Sequence, residues 1–248
     1  MCRQYSVCIT CRNNINTIRE SMKSVLNQID NTFEVVVVDA ESNDGTTDIL
    51  REYADKTLIR LIVKKCSRGM GRQIAFENSK GEYVIANMDL DDVFEPNLRE
   101  LLSFYKNHCE GKILLAIKGD AQGIRELQSI TIGSRKLISE LGGWRDLQWA
   151  EDWDLWSRAA KSGRFAWTIF PIARITNPHL ERQQLKSKFL FRYVKYREML
   201  SLGRHIFNPE EKIALNQKLA LWLAGTALIF RRRLSDEFNK IFNPYDPR

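Results

Sequence analysis

Several things are missing from this sequence, and each absence narrows what the chain can be. Its five cysteines, Cys2, Cys8, Cys11, Cys66 and Cys109, are odd in number and scattered, so no disulfide framework is expected and a reducing cytoplasm fits. Cys8 and Cys11 form a C-x-x-C. Neither a helix N-terminus for a redox thiol nor a second ligand pair for zinc is visible beside it, so both read as small apolar strand residues. Met1-Cys2-Arg3 runs straight into strand-like residues, and no secretory signal is expected. The pattern G-x-x-x-x-G-K-[ST] is absent, which excludes a P-loop. The longest run of interest without charge, Leu219 to Phe230, has twelve residues, whereas a membrane-spanning helix needs about 20. Internal repeats and low-complexity tracts are also lacking.

What is present describes a folded protein. The 248 residues are 44% hydrophobic and 28% charged, enough for a domain of ordinary size with an appendage. The net charge of +7 is unevenly placed: residues 1–178 hold 24 Lys/Arg against 24 Asp/Glu, and residues 179–248 hold 14 against 7. A division follows into a balanced domain, 1–178, and a basic helical extension, 179–248, that would meet an anionic surface or substrate. No nucleic-acid partner is expected.

Along the chain, apolar β-rich runs alternate with helical periodicity. Tyr5 to Thr10, Phe33 to Val38, Leu58 to Val63 and Tyr83 to Ala86 read as strands. The pattern Ile15, Ile18, Met22, Val25 and Leu26, the stretch around Ile49 to Tyr53, and that through Ile74, Ala75 and Asn78 read as helices between them. Ser67 to Arg72 reads as a glycine-containing turn ahead of the third helix. The alternation predicts an α/β fold with a doubly wound, mostly parallel sheet. Beyond it come a helix over Glu95 to Tyr105, strands over Ile113 to Ile117, Ser129 to Ile132 and Phe165 to Phe170, and short helices after Arg135 and Glu151.

Acids gather where strands end. Asp39 closes one buried run, and Asp89, Asp91 and Asp92 close another. In a parallel sheet both lie on one edge, where ligands bind. Like charges this close need a counter-ion, and a divalent cation is the simplest. A second acidic pair, Glu151-Asp152, sits among Trp149, Trp153 and Trp156; apolar rings desolvate a carboxylate and strengthen it as a proton acceptor. Arg68 and Arg72 beside glycines suggest an anion site suited to diphosphate.

Taken together, Cys8-Ile-Thr-Cys-Arg-Asn-Asn14, Val38-Asp-Ala-Glu-Ser-Asn-Asp-Gly-Thr46, Arg72-Gln-Ile-Ala75, Gly81-Glu-Tyr83, Met88-Asp-Leu-Asp-Asp92, Gly142-Gly-Trp144 and Glu151-Asp-Trp-Asp-Leu-Trp156 resemble a family-2 glycosyltransferase. The resemblance covers roughly residues 5 to 175, in order and at fitting spacings. It implies the GT-A fold, a nucleoside-diphosphate-sugar donor, inversion and Mg2+ or Mn2+. It places Thr10, Arg12, Asp39, Glu41, Arg68, Arg72 and Asp89 on the nucleotide sugar, with Asp39 at the base. Asp89 and Asp91 would form the metal-binding D-x-D, Asp91 as direct ligand. Asp152 would be the catalytic base, supported by Glu151.

The sequence departs from that family in three respects. Arg12 stands where a ring is usual near the base, and Glu41 where a small residue is common. The Gln-x-x-Arg-Trp of processive enzymes is missing, Gln183-Gln184-Leu185-Lys186 being no match, so transfer of single sugars is expected. His179 is more simply a surface turn residue than a further metal or phosphate contact. The apolar segment before Arg231-Arg232-Arg233 either packs on the core or lies in a membrane interface. With the charge asymmetry, the second option favours a peripheral cytoplasmic protein and a lipid-linked acceptor. The competing classes are a sugar nucleotidyltransferase, which would carry a glycine-rich Arg/Lys loop after its first strand, and a non-catalytic sugar-nucleotide-binding module.

Overall fold

The structure is a computed structural model describing residues 3–120, 123–148, 151–171 and 173–175. The expected break after Pro178, His179 and the whole basic extension lie outside the described residues.

The first four strands, β1 (Tyr5–Cys11), β2 (Phe33–Asp39), β3 (Arg60–Val63) and β4 (Tyr83–Ala86), alternate with α1 (Ile18–Leu26), α2 (Thr46–Asp55) and α3 (Arg68–Glu77). Each neighbouring pair among these strands is parallel. After β4 come β5 (Asp92–Phe94), α4 (Leu98–Phe104), a π-helical turn Tyr105–Cys109, β6 (Ile113–Asp120), β7 (Gly123–Ser134), α5 (Arg135–Glu140), α6 (Glu151–Lys161), β8 (Phe165–Phe170) and β9 (Ala173–Ile175). The main sheet has seven strands in the order β3-β2-β1-β4-β7-β6-β8. Only β7 runs against the rest, because it pairs antiparallel with both β4 and β6 while β6 and β8 are parallel. β2 is buried almost throughout, as an uninterrupted β-branched run requires when helices cover both sheet faces.

Three elements differ from the pattern. Ser67 caps α3 by accepting from the Met70 N–H at 3.1 Å, so Arg68 to Arg72 are already helical. The glycines there serve close packing: a Cβ on Gly69 would stand 2.1 Å from the Arg145 carbonyl oxygen, and one on Gly71 would stand 2.9 Å from Thr10 Cγ2. α4 starts at Leu98, after Pro96, since Asn97 turns aside and donates to the Pro171 carbonyl at 2.6 Å. Asp92 opens the short strand β5, which pairs with β9 in a separate two-stranded sheet.

Register sets the site. β4 stops where Ala86 meets Cys8, whereas β1 continues to Cys11 beside Asp39. The chain after β4 is therefore free of the sheet beside the ends of β1 and β2. Asn87 turns it out in the left-handed region, φ 69°, which asparagine tolerates better than most residues.

Candidate active site

Alternation governs the loop after β4. Met88 and Leu90 are each 1% exposed and belong to the core, while Asp89 and Asp91 between them line a hollow of about 430 Å³. Side chains from α1 and its approach fix this loop. Thr17 Oγ1 donates to the Leu90 carbonyl at 2.7 Å and Ser21 Oγ to the Asp92 carbonyl at 2.5 Å. Asp92 itself is buried at the start of β5 and does not line the hollow. The sequence-level acidic trio thus separates into two carboxylates on the hollow and one behind it.

The hollow runs along the carboxyl edge of the sheet. Thr10 lines it from β1 and Arg12 from just beyond, Val38 from β2 and Ala40 from just beyond, Cys66 from beyond β3, Arg68 from α3 and Gln148 from the segment before α6. That segment is docked on the α3 N-terminus: Gly69 N–H donates to the Leu147 carbonyl at 2.9 Å, and Ser67 Oγ bonds Asp146.

Arg72 ties the acidic groups together. Its Nη1 is 3.4 Å from Asp89 Oδ1, and its Nε is 3.2 Å from both Glu151 Oε1 and Asp152 Oδ1. Nη1 also lies 3.4 Å from Thr10 Oγ1. The Arg72 side chain is 3% exposed. Burial alone would lower its pKa, but the three carboxylates more than offset that and hold the guanidinium charged. Arg72 is therefore spent on protein carboxylates and is no open diphosphate clamp. Arg68, 3.9 Å from Glu151 and half-exposed, does face the hollow.

The first turn of α6 carries Glu151, Asp152 and Asp154, all buried. Burial, with the charges of Glu151 and Asp89, raises the Asp152 pKa to about 7, while Arg72 and the Trp144 hydrogen bond oppose the rise. Trp144 Nε1 donates to Asp152 Oδ1 at 2.9 Å. Trp144 is aimed by its neighbours. Gln73 Oε1 accepts from its N–H at 2.8 Å, and Arg158 donates to the Gly143 carbonyl at 2.6 Å and pairs with Asp154. Gly143 has φ +63°, and a Cβ there would meet Gln73 Oε1 at 2.2 Å, so this turn needs glycine. Asp91 is also raised, by burial first and then by the Asp89 charge, with Arg68 and Arg72 pulling the other way.

Of the expected residues, Thr10, Arg12, Arg68, Asp89 and Asp91 line the hollow, whereas Arg72, Glu151 and Asp152, joined to it through Asp89, and Asp39 and Glu41 do not. Asp39 is fully buried: its Oδ1 accepts from Ser42 N at 3.1 Å and Ser42 Oγ at 2.6 Å, and its Oδ2 accepts from Thr47 Oγ1. It organises the turn after β2 and does not line the hollow. Glu41, at φ 55°, is exposed and lines a different depression with Asp48 and Arg51. The C-x-x-C is structural: Cys8 and Cys11 are buried free thiols, both pushed up by burial, Cys8 to about 12. Sequence reasoning missed the donor role of Trp144 and the aiming role of Arg158. The Gly142-Gly143-Trp144 turn was the visible signal, but nothing local says which acid the indole meets.

The family model for glycosyl transferase family 2 matches residues 6–150. The chain belongs to that family. Over 122 residues it is 30% identical to the poly(ribitol-phosphate) β-N-acetylglucosaminyltransferase TarS of Staphylococcus aureus, covering 47% of this chain and 21% of that protein. Over 88 residues it is 33% identical to the Escherichia coli UDP-Glc:α-D-GlcNAc-diphosphoundecaprenol β-1,3-glucosyltransferase WfaP, covering 35% of each. The chain thus spans a minor part of the length of these curated relatives. Among solved structures, residues 1–349 of TarS superpose with a TM-score of 0.63 at 22% identity, covering 92% of this chain and 73% of that one. The Pyrobaculum calidifontis mannosyltransferase PcManGT, solved with GDP-Man and Mn2+, superposes with a TM-score of 0.66 at 18% identity, covering 94% and 71%. These likenesses show the GT-A fold in a family-2 glycosyltransferase. The family match stops at residue 150, one position before Glu151.

Proposed function

We propose that the chain moves a single sugar from a nucleoside-diphosphate sugar to an acceptor hydroxyl in one inverting displacement. The observation that carries this reading is Arg72, one buried guanidinium shared by Asp89 on the hollow and by Glu151 and Asp152 on α6. Solved neighbours hold UDP-GlcNAc, or UDP-glucose with Mn2+.

Among the described residues no group of three His, Cys, Asp or Glu side chains gathers as a metal cage. Two adjoining carboxylates, Asp89 and Asp91, still fit a hard cation of the kind that binds through one or two carboxylates and takes its other oxygens from substrate phosphate. When bound, the cation supplies counter-charge for the departing diphosphate. Arg68 adds positive charge on the same hollow. Asp152 takes the acceptor proton as the hydroxyl attacks, at a pKa that suits a base near neutrality. Glu151 supports it by pairing with the same Nε of Arg72.

We further propose that the acceptor is presented at a membrane surface. The basic extension and the relative named for a diphosphoundecaprenol-linked substrate support this. Among the described residues no helix is long and apolar enough to cross a membrane. Flotation of the full chain and of one ending near Pro178 on anionic vesicles tests it; equal flotation, or none, removes the extension as the cause.

The decisive experiment on the reaction is nucleotide release from a panel of sugar nucleotides with Mn2+ and with chelator, comparing wild type and Asp152→Asn. Loss of turnover by about 10²–10⁴-fold with nucleotide binding retained is the expected result. An Asp152→Asn protein as active as wild type removes the assigned base.

A further inference from the structure

α1 buries the apolar residues Ile18, Met22 and Val25 in the core. It also carries a polar stripe at helical spacing, Thr17, Ser21 and Ser24, continued by Gln28 just past its end. All four side chains bond the backbone of the chain that leaves β4. Thr17 Oγ1 donates to the Leu90 carbonyl at 2.7 Å, and Ser21 Oγ to the Asp92 carbonyl at 2.5 Å. Ser24 Oγ accepts from the Phe94 N–H and Gln28 Oε1 from the Leu98 N–H, each at 3.0 Å. The partners advance in the same order along both segments. Thr17 and Ser21 are buried, where a hydroxyl needs such a partner. Thr17 stands at the N-cap of α1, where a threonine hydroxyl ordinarily accepts from the first turn. Here it makes no capping bond and turns to Leu90, its other acceptor, the Asn14 carbonyl, being farther off at 3.3 Å. Thr17 and Leu90 both line the hollow, so their bond lies in its wall.

We propose that Thr17, backed by Ser21, is a positioning residue for the cation: by holding the peptide ahead of Asp91 it sets where that carboxylate stands. This rests on the metal-assisted reading above and adds residues of α1 to it. The reason is geometric. A peptide unit is planar, so pinning the Leu90 carbonyl also pins the Asp91 N–H. The peptide on the other side of Asp91 is held as well, since the Asp92 N–H donates to the Asp89 carbonyl at 3.3 Å. Between those planes only φ and ψ of Asp91 remain, so two hydrogen bonds fix the direction of its Cα–Cβ bond, and one of them comes from Thr17. Met88 and Leu90, locked in the core on either side of Asp89, leave the loop little room to compensate. A small hard cation held by one or two carboxylates demands near-ideal geometry. A slight rotation here therefore falls on the cation and not on the nucleotide.

Calorimetric titration of UDP and of GDP into the full chain, repeated over a series of Mn2+ concentrations, tests it. Thr17→Val keeps the shape and removes the donor. It should raise the Mn2+ concentration for half-maximal nucleotide binding about tenfold and leave the affinity at saturating Mn2+ within about twofold of wild type. Thr17→Ser keeps the hydroxyl and should restore the wild-type requirement, and Ser21→Ala should move it in the same direction as Thr17→Val. Gln28→Ala breaks a bond of the same stripe beyond β5; it should lower the melting temperature without moving the Mn2+ requirement. Should Thr17→Val fail to fold, Ser21→Ala carries the same comparison. A Thr17→Val protein with the wild-type Mn2+ requirement overturns the proposal. So does one that loses nucleotide affinity equally at every Mn2+ concentration, which marks a direct ligand contact. So does a Gln28→Ala protein shifted as far as Thr17→Val, which marks general loosening. In each of those cases the donor reading survives. Wild-type binding that is the same with Mn2+ and with chelator overturns the metal part of that reading and this proposal with it. Failure of both nucleotides to bind with Mn2+ overturns the donor reading as well.

Discussion

Nε of Arg72 stands 3.2 Å from Asp152 Oδ1, and the two side chains come from different helices. Neither charge is well hydrated, so each makes the other tolerable. A buried pair of this kind adds little net stability, but breaking it leaves a stranded charge. Glu151 and Asp89 share the same cation, so the stranded charge here would be carboxylate repelling carboxylate.

Arg72→Met is therefore expected to cost about 3–5 kcal/mol, which for a chain of this size lowers the melting temperature by roughly 10 °C. The deficit should shrink in acid as the carboxylates protonate. Arg72→Lys, which keeps the charge but loses the fork, should cost less. Thermal denaturation of the three proteins at neutral and acid pH checks both expectations. A Met variant as stable as wild type would mean that the acids have another partner.

The raised pKa of Asp152 fixes the sign of two pH effects. Turnover should climb as pH rises through about 7, because only the ionised carboxylate accepts a proton. Stability should move the other way. The folded protein holds the proton up to about 7, while the unfolded chain releases it at an ordinary carboxylate value. Between those values the native state binds more protons, and stability from this group falls as pH rises. Rate profiles and melting curves over pH 5 to 9 report the two limbs separately. A rate that is flat across neutrality removes Asp152 as the titrating base.

Much of this was legible from pattern alone. The four parallel strands followed from their unbroken apolar runs, and the acids at Asp89 and Asp91 from the abrupt end of Tyr83 to Ala86. Other features were not. Whether Arg72 faces ligand or protein depends on an acid pair far along the chain, and no local spacing encodes that. Gly69 and Gly71 looked like turn residues because glycine's commonest use is conformational; here they admit Arg145 and Thr10 at distances a Cβ would forbid. Asp39 at a strand end looked free because the sequence does not say that Ser42 and Thr47 fold back onto it.

Metal and nucleotide should bind together and weakly apart. Asp89 is partly engaged by Arg72, and no third ligand of the usual kinds completes a cage among the described residues. Mn2+ alone should shift the melting temperature little. A nucleoside diphosphate with Mn2+ at about a hundred times its dissociation constant should stabilise by roughly 2.7 kcal/mol. Full stabilisation by Mn2+ without nucleotide would point to a preformed site instead.

Trp144→Phe isolates the indole hydrogen bond from the packing of the ring. The 2.9 Å bond from Nε1 favours the charged form of Asp152, so its loss should raise that carboxyl further. A hydrogen bond to a charged group is worth about 1.5–3 kcal/mol, which corresponds to a shift of the rising rate limb upward by roughly one to two pH units. At pH 9 the variant should recover about half to nine-tenths of the wild-type rate, since a carboxyl shifted by one to two units is by then at least half ionised. A purely structural role for Trp144 would instead lower the rate by the same factor at every pH and leave the midpoint near 7. The shape of the profile, independent of its height, therefore decides whether Trp144 positions and tunes the base or merely fills the space between α3 and α6.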